Sequence, residues 1–420
     1  MPQLSQLRPG VGQPARDSMP GNWLNRNVVG MGLTSLLSDA GHEMATAVLA
    51  GFLAVIGAPV YALGFIEGVS DALSSFVKLG AGWWSDRLGH RKAITAAGYA
   101  LTGGAFVLFA VAVTWPLVLA GRMVAWFGRG IRGPLRDAML AESVAPGDRG
   151  KAFGFHRAGD TLGAIIGPLV AAGLMFLLQP YASENPAVPF RIIFLLTLVP
   201  GLGSAVAFAL MVQEKRRPAN HGIKFWASVR ALPQSFRRLL VGVGVFGAGD
   251  FSHTLLILAA TQLLTGSHGA VTAAQIAALL YALRNVLYTA ASYPVGTLSD
   301  RFSRRGLLVA GYLLAAGVMI GFVVAFATAT ASIVLLAVLF GLAGVFIAVE
   351  DALEGVLTAD FVPDESNRGT AYGVMGTVNG LGDFLSSAVV GLLWSATPIW
   401  GFTYAAVAML FGSLLLYRVR

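Results

Sequence analysis

The chain has 420 residues, of which 56% are hydrophobic and only 12% charged, with a mean hydropathy of +0.70. That balance excludes an ordinary soluble domain and places the chain in a bilayer. The lack of cysteine excludes disulfides and thiolate metal sites. The net charge of +8 lies in short loops between apolar runs, which fits membrane orientation better than nucleic-acid binding.

Residues 1–26 read as a cytoplasmic tail rich in Pro, Gly and Arg, without the apolar core and cleavage site of a signal peptide. Apolar runs long enough to span follow at about 27–57, 60–82, 92–113, 116–138, 151–178 and 189–213, which make an N-terminal half of residues 27–213. Residues 214–237 form a cytoplasmic linker, in which Phe225, Trp226, Val229, Leu232 and Phe236 at helical spacing among basic residues predict an amphipathic helix on the inner leaflet. The C-terminal half, 238–420, gives spans at about 238–264, 272–299, 306–328, 331–358, 370–394 and 397–417. The expected class is therefore an all-α polytopic membrane protein of about twelve helices. Loops 265–270 and 179–189 lack Lys and Arg and fall outside, which leaves both termini cytoplasmic at the cell membrane. The 52 glycines are dispersed, as close helix packing in lipid requires.

Two loops repeat each other. Gly82-Trp83-Trp84-Ser85-Asp86-Arg87-Leu88-Gly89-His90-Arg91 reads as a tight basic turn, and Gly296-Thr297-Leu298-Ser299-Asp300-Arg301-Phe302-Ser303-Arg304-Arg305 carries the same Gly-x-x-x-Asp-Arg spacing. Asp39-Ala40-Gly41-His42 likewise matches Asp250-Phe251-Ser252-His253, and Arg149-Gly150 matches Arg368-Gly369, so the halves are a duplicated unit. In this doubled loop motif the chain resembles the major facilitator superfamily. The resemblance implies two pseudo-symmetric six-helix halves, a substrate path between them, and alternating access by rocking. It also implies that Asp86 and Asp300 hold the inward side closed. In the family the ninth motif position is usually Arg; here it is His90 with Arg91 beside it. Asp137 on span 4 is the partner the family pattern implies for the first copy, and Glu350 or Asp351 is within reach of Arg304 in the second.

Ionisable groups at mid-membrane depth are costly, so they are the candidates for coupling and substrate contact. They are Asp39, His42 and Glu43 on span 1, Glu67 and Asp71 on span 2, Arg122 on span 4, Asp160 on span 5, Asp250 and His253 on span 7, Arg284 on span 8 and Asp383 on span 11. Arg284 with Asp383, or Lys78 with a nearby carboxylate, reads equally well as a structural pair. His156 and Arg157 lie nearer the cytoplasmic end, as an inner gate. Trp83, Trp84, Trp115 and Trp126 read as interfacial anchors or packing.

Gly163-x-x-x-Gly167-Pro168 on span 5 resembles the antiporter signature of the family, and Arg122 resembles its span 4 arginine in proton-coupled members. No phosphate-cradling loop or catalytic triad is present in the sequence, so no enzyme activity and no cofactor are expected. The reading is a monomeric, proton-coupled exporter of small amphipathic or cationic compounds, with Asp39 as the first candidate proton carrier. A divalent-metal carrier built on the two Asp-x-x-His elements is the alternative. A non-transporting membrane receptor is a third.

Overall fold

The computed structural model describes residues 23–88, 91–145, 148–183, 185–214, 229–230, 232–299, 301–362 and 365–418. They fold into twelve membrane-length helical segments. In the first half these are span 1 (Arg26–Val55), span 2 (Val60–Leu88), span 3 (Lys92–Gly104 and Phe106–Val111), span 4 (Trp115–Glu142), span 5 (Arg149–Leu177) and span 6 (Val188–Leu196 and Leu198–Met211). In the second half they are span 7 (Gln234–Gly247 and His253–His268), span 8 (Ala270–Ser299), span 9 (Arg304–Ala327), span 10 (Ile333–Phe361), span 11 (Glu365–Trp394) and span 12 (Pro398–Arg418). No strand occurs among the described residues. The amphipathic linker helix falls mostly on residues 215–228, outside the described residues.

Eight of the segments are apolar enough to cross a bilayer by composition alone. The other four are spans 1, 4, 7 and 11, and their departures mark the site. Span 1 carries Asp39, His42 and Glu43, span 4 carries Arg122, Arg129, Arg132 and Arg136, span 11 carries Asp383, and span 7 is broken.

The packing repeats with a shift of six spans. Span 1 packs on spans 5 and 6 as span 7 packs on 11 and 12, span 2 on 4 as 8 on 10, and span 3 on 6 as 9 on 12. Between the halves, span 2 meets span 11 and span 5 meets span 8, a pair of contacts that the same exchange interconverts.

Three glycines bring span 5 onto span 1. A Cβ on Gly159, Gly163 or Gly167 would lie 2.5 Å from the carbonyl oxygen of Gly32, Leu36 or Ala40 respectively, so the backbones touch at each successive turn. Pro168 then adds a second effect. It has no N–H to give to the carbonyl of Ala164 four residues earlier, and that oxygen accepts instead from Asn285 Nδ2 of span 8 at 2.7 Å. The Gly-Gly-Pro element is thus a packing surface on one side and a contact between the halves on the other.

Two sequence expectations are corrected. Gly82–Leu88 is not a turn but the end of the span 2 helix, because nothing breaks helix propagation before Gly89. Gly296–Ser299 likewise closes span 8. The matched Asp39 and Asp250 elements also differ: span 1 runs unbroken through Asp39, whereas span 7 stops after Gly247 and restarts at His253. Serines of span 11 stabilise this break. Ser387 Oγ accepts from the Ser252 N–H at 3.0 Å, and Ser386 Oγ donates to the Asp250 carbonyl at 2.6 Å.

The two halves seal at one end and part at the other. Val48, Leu49 and Phe52 of span 1 join Leu63 and Ile66 of span 2, Leu256 and Ala260 of span 7 and Ala274 and Ala278 of span 8 in one continuous apolar core. At the opposite end, where spans 2 and 8 finish and the arginines gather, cavities separate the halves.

Candidate functional site

The deep part of the cleft is a cavity of about 220 Å³ whose walls include Glu67, Asp71, Trp126, Asp250, His253, Arg284 and Asp383. It draws on spans 2, 4, 7, 8 and 11 and so belongs to both halves. Arg122 Nη2 donates to Glu67 Oε2 at 2.8 Å, and both side chains are buried. The same carboxylate oxygen accepts from Ser252 Oγ of the opposite half at 3.2 Å, while Oε1 has no partner. The Arg122 guanidinium lies 3.8 Å from the centroid of the Trp126 ring, and Trp126 Nε1 donates to Asp71 Oδ1 at 2.6 Å. Trp126 therefore joins a buried ion pair to a second carboxylate and is no interfacial anchor. Trp115, by contrast, packs edge-on against Tyr61 and Phe65 as expected.

Towards the Arg-rich end the cleft widens into a vestibule of about 540 Å³, lined in part by Asp39, Lys78, Arg129, Arg132, Arg136 and Asp160. Arg122, Arg129, Arg132 and Arg136 are spaced by seven, three and four residues, which puts them on one stripe of span 4. Arg129 faces Asp39 at 3.8 Å, Arg136 pairs with Asp137 at 2.9 Å, and Arg132 stacks on the Tyr99 ring at 4.0 Å. Asp160 accepts a short hydrogen bond from Ser35 Oγ and lies 3.6 Å from His156 Nδ1. Residue count places Asp39 and Asp160 level with Asp71 and Asp383; the structure puts the first two in the vestibule and the others in the deep chamber.

Contacts across the halves join charged residues singled out in the sequence to two tyrosines that carry no clear sequence signal. Tyr281 Oη of span 8 donates to Glu43 Oε2 of span 1 at 2.7 Å. Nearer the mouth, Arg157 reaches Asp351 at 3.2 Å and makes a short bond to Tyr288, whose hydroxyl donates to Asp351 at 2.6 Å. Asp351 is thus held by span 5, and Arg304 goes elsewhere: it pairs with Asp360 at 2.8 Å and 2.9 Å, nearer the end of span 10. Glu350 sits instead beside Asp250 and Glu354, and Glu354 accepts from Tyr312 and Asn379. In the first half Arg91 pairs with Glu142 at 2.7 Å rather than with Asp137. Arg91 and Arg304 therefore each meet the last acidic residue of the neighbouring helix. Asp300 and Gly89, and the side chains of Asp86 and Arg87, lie outside the described residues. Arg301 and Phe302 are exposed, and Arg305 is half-buried beside the start of span 9. Because the Arg304–Asp360 pair is solvent-exposed, Arg304→Ala should cost less than about 1 kcal/mol in a thermal melt.

Arg284 donates to Asn285 Oδ1 at 3.1 Å and shares the deep chamber with Asp383 without pairing to it. The two histidines make aromatic contacts. His42 lies 4.6 Å from the Trp126 ring, and His253 stacks on Tyr281 at 4.9 Å. Among the described residues no three or more His, Cys, Asp or Glu gather as a metal would require.

The halves, their exchange symmetry and the charged cleft between them describe a carrier, and the Major Facilitator Superfamily profile matches residues 31–261 and 239–420. The chain belongs to the major facilitator superfamily. An uncharacterized MFS-type transporter of Methanocaldococcus jannaschii is 31% identical over 94% of this chain and 94% of its own. An uncharacterized protein of Mycobacterium tuberculosis is 30% identical over 88% and 87%. Among solved structures, a bacterial homologue of the human lysosomal transporter Spinster superposes with a TM-score of 0.68 at 17% identity, covering 93% of this chain and 95% of the other. The nucleoside transporter NupG superposes at 0.73 and 13%, covering 94% and 98%. These likenesses establish the MFS fold. This MFS chain is accordingly a multi-pass membrane transporter of small molecules, a family and fold that are not those of enzymes.

Proposed function

We propose that this MFS chain is a proton-coupled exporter of small cationic, amphipathic compounds, with the Arg-rich end in the cytoplasm. The observation that supports it is the deep chamber. Glu67, Asp71, Asp250 and Asp383 face it with Arg284 as the cation on its wall, while Trp126 offers an aromatic face. A chamber rich in carboxylate and closed by an indole attracts an organic cation through charge and through the ring quadrupole. A partial relative supports the direction of transport: a multidrug resistance protein B homologue of Mycobacterium tuberculosis is 33% identical over 139 residues, 33% of this chain.

Coupling is assigned to Asp39, which faces Arg129 across the vestibule, with Glu43, bound to Tyr281 of the opposite half, one turn away. A carboxylate that is alternately hydrated and enclosed exchanges its proton as the cleft opens to each side, and a cation that needs the same negative charge is exchanged for it. Asp39→Asn holds this position in the uncharged form. It should abolish pH-gradient-driven movement of phenyltrimethylammonium in proteoliposomes while leaving insertion and folding intact, since a neutral amide is cheaper to bury than a charge. Full gradient-driven transport by the variant would remove Asp39 from the coupling step and move the assay to Asp71 and then Asp250.

A further inference from the structure

We infer that the compound carried is a zwitterion, with its cationic group against the carboxylates of the deep chamber and its anionic group against Arg132 and Lys78 in the vestibule. This rests on the cation reading of the deep chamber and adds a second subsite of opposite charge to it.

The vestibule supplies more cations than its own acids use. Arg129 is engaged by Asp39, Arg136 by Asp137, and Arg157 by Asp351 and Tyr288 of the opposite half. Arg132 is different. It is only 3% exposed, its Nε and Nη1 have no hydrogen-bond partner, it stacks on the Tyr99 ring, and Asp39 stands within electrostatic reach without pairing to it. A guanidinium cannot shed its charge, so a buried one with two idle N–H groups carries a desolvation cost that an oxyanion offsets with paired, charge-assisted bonds. Lys78 lines the same wall from span 2. The deep chamber shows the opposite vacancy of bonding. Glu67 is 1% exposed, and its Oε1 accepts nothing even though Oε2 serves both Arg122 and Ser252.

The two idle charges lie at two depths of one cleft. Span 2 gives Asp71 to the chamber and Ser75 and Lys78 to the vestibule, span 4 gives Trp126 and then Arg129 and Arg132, and span 11 gives Asp383 and then Thr377. Lys78 also stands within electrostatic reach of Asp71 and Asp383, which ties the cavities together. At ~1.5 Å rise per residue, the seven residues from Asp71 to Lys78 and the six from Trp126 to Arg132 set the two subsites roughly 9–11 Å apart along the helices. A molecule with an ammonium at one end and a carboxylate or phosphate at the other spans that interval. A simple organic cation leaves Arg132 unanswered, and a simple anion is repelled from the deep chamber.

The test uses the purified full-length protein, with binding followed by calorimetry and by thermal shift. The probes are ω-amino acids from 4-aminobutanoate to 8-aminooctanoate, each beside the n-alkylamine and the n-alkanoate of equal length. At least one ω-amino acid should bind about tenfold or more tightly than its matched amine, the margin that one charge-assisted contact supplies. Arg132→Gln and Lys78→Gln should each erase that margin, so that the ω-amino acid binds the variant no more tightly than its matched amine does. Amines that bind as tightly as every ω-amino acid, or a margin that survives both variants, would overturn the zwitterion and leave the cation reading standing. Absence of binding by the amines and the ω-amino acids alike, with or without binding of alkanoates, would overturn the cation reading and the zwitterion with it. If Arg132→Gln fails to fold because Tyr99 loses its support, Lys78→Gln decides alone.

Discussion

Replacing Arg122 by glutamine should destabilise the protein by about 3–5 kcal/mol, the range for breaking a buried ion pair by removing one partner. Arg122 is fully buried and Glu67 is 1% exposed, so the carboxylate left behind would be poorly solvated. Only Ser252 would remain as a donor to it, at 3.2 Å. The loss would also release Trp126, over which the guanidinium lies, and with Trp126 the hydrogen bond that fixes Asp71. The melting temperature of detergent-purified R122Q should fall well below that of wild type. The double variant with Glu67→Gln should recover much of the loss, because two amides replace a stranded charge. Equal melting of wild type and R122Q would show that the pair contributes little to the fold. A double variant no better than R122Q would show that packing of the guanidinium, rather than charge, is what matters.

A side chain at Gly167 should be almost as damaging. A Cβ there would sit 2.5 Å from the Ala40 carbonyl, 2.8 Å from the Met44 nitrogen and 3.0 Å from the Glu43 Cβ, and two of these three atoms are backbone that has no rotamer to yield. Gly167→Val should therefore push span 1 away from span 5, cost about 1–3 kcal/mol as an overpacked contact does, and pull Glu43 off Tyr281. Proteoliposome transport should drop more steeply than stability, since the displaced carboxylates belong to the proposed path. Gly173→Ala on the same span is the control: nothing lies within 4 Å of its Cβ position, and it should stay within about 0.5 kcal/mol of wild type. A Gly167→Val protein that melts and transports like Gly173→Ala would show that spans 1 and 5 separate without penalty.

Much of the architecture was legible in the chain because bilayer thickness and apolar length constrain each other, and because the two Asp-Arg loops mark one unit used twice. The candidate carboxylates were legible for the same reason: Asp71 and Asp383 are conspicuous in apolar surroundings. Their grouping was not. Depth counted along each helix set Asp39 level with Asp71, although the two line different cavities of one cleft. Trp126 and Tyr281 were out of reach because an aromatic residue on a membrane helix carries no mark that separates a site wall from a packing face. The arginine stripe of span 4 was readable at its spacing of seven, three and four, and its significance emerges only when Asp39 and Tyr99 are seen opposite it. Arg304 was paired with the wrong acid because the sequence offers several on one helix, and only the path of span 10 selects Asp360.

The Ala164 carbonyl, left idle by Pro168 and taken up by Asn285, has a kinetic meaning as well. When span 8 swings away from span 5, that oxygen loses its sole replacement donor, and inside a bilayer an orphaned carbonyl is tolerated only where solvent can reach it. A cavity lined in part by Arg157, Thr161 and Tyr288 opens between the same two helices. Any transport cycle that parts spans 5 and 8 would have to wet this seam, so that a single proline would set a toll of hydration on each turnover.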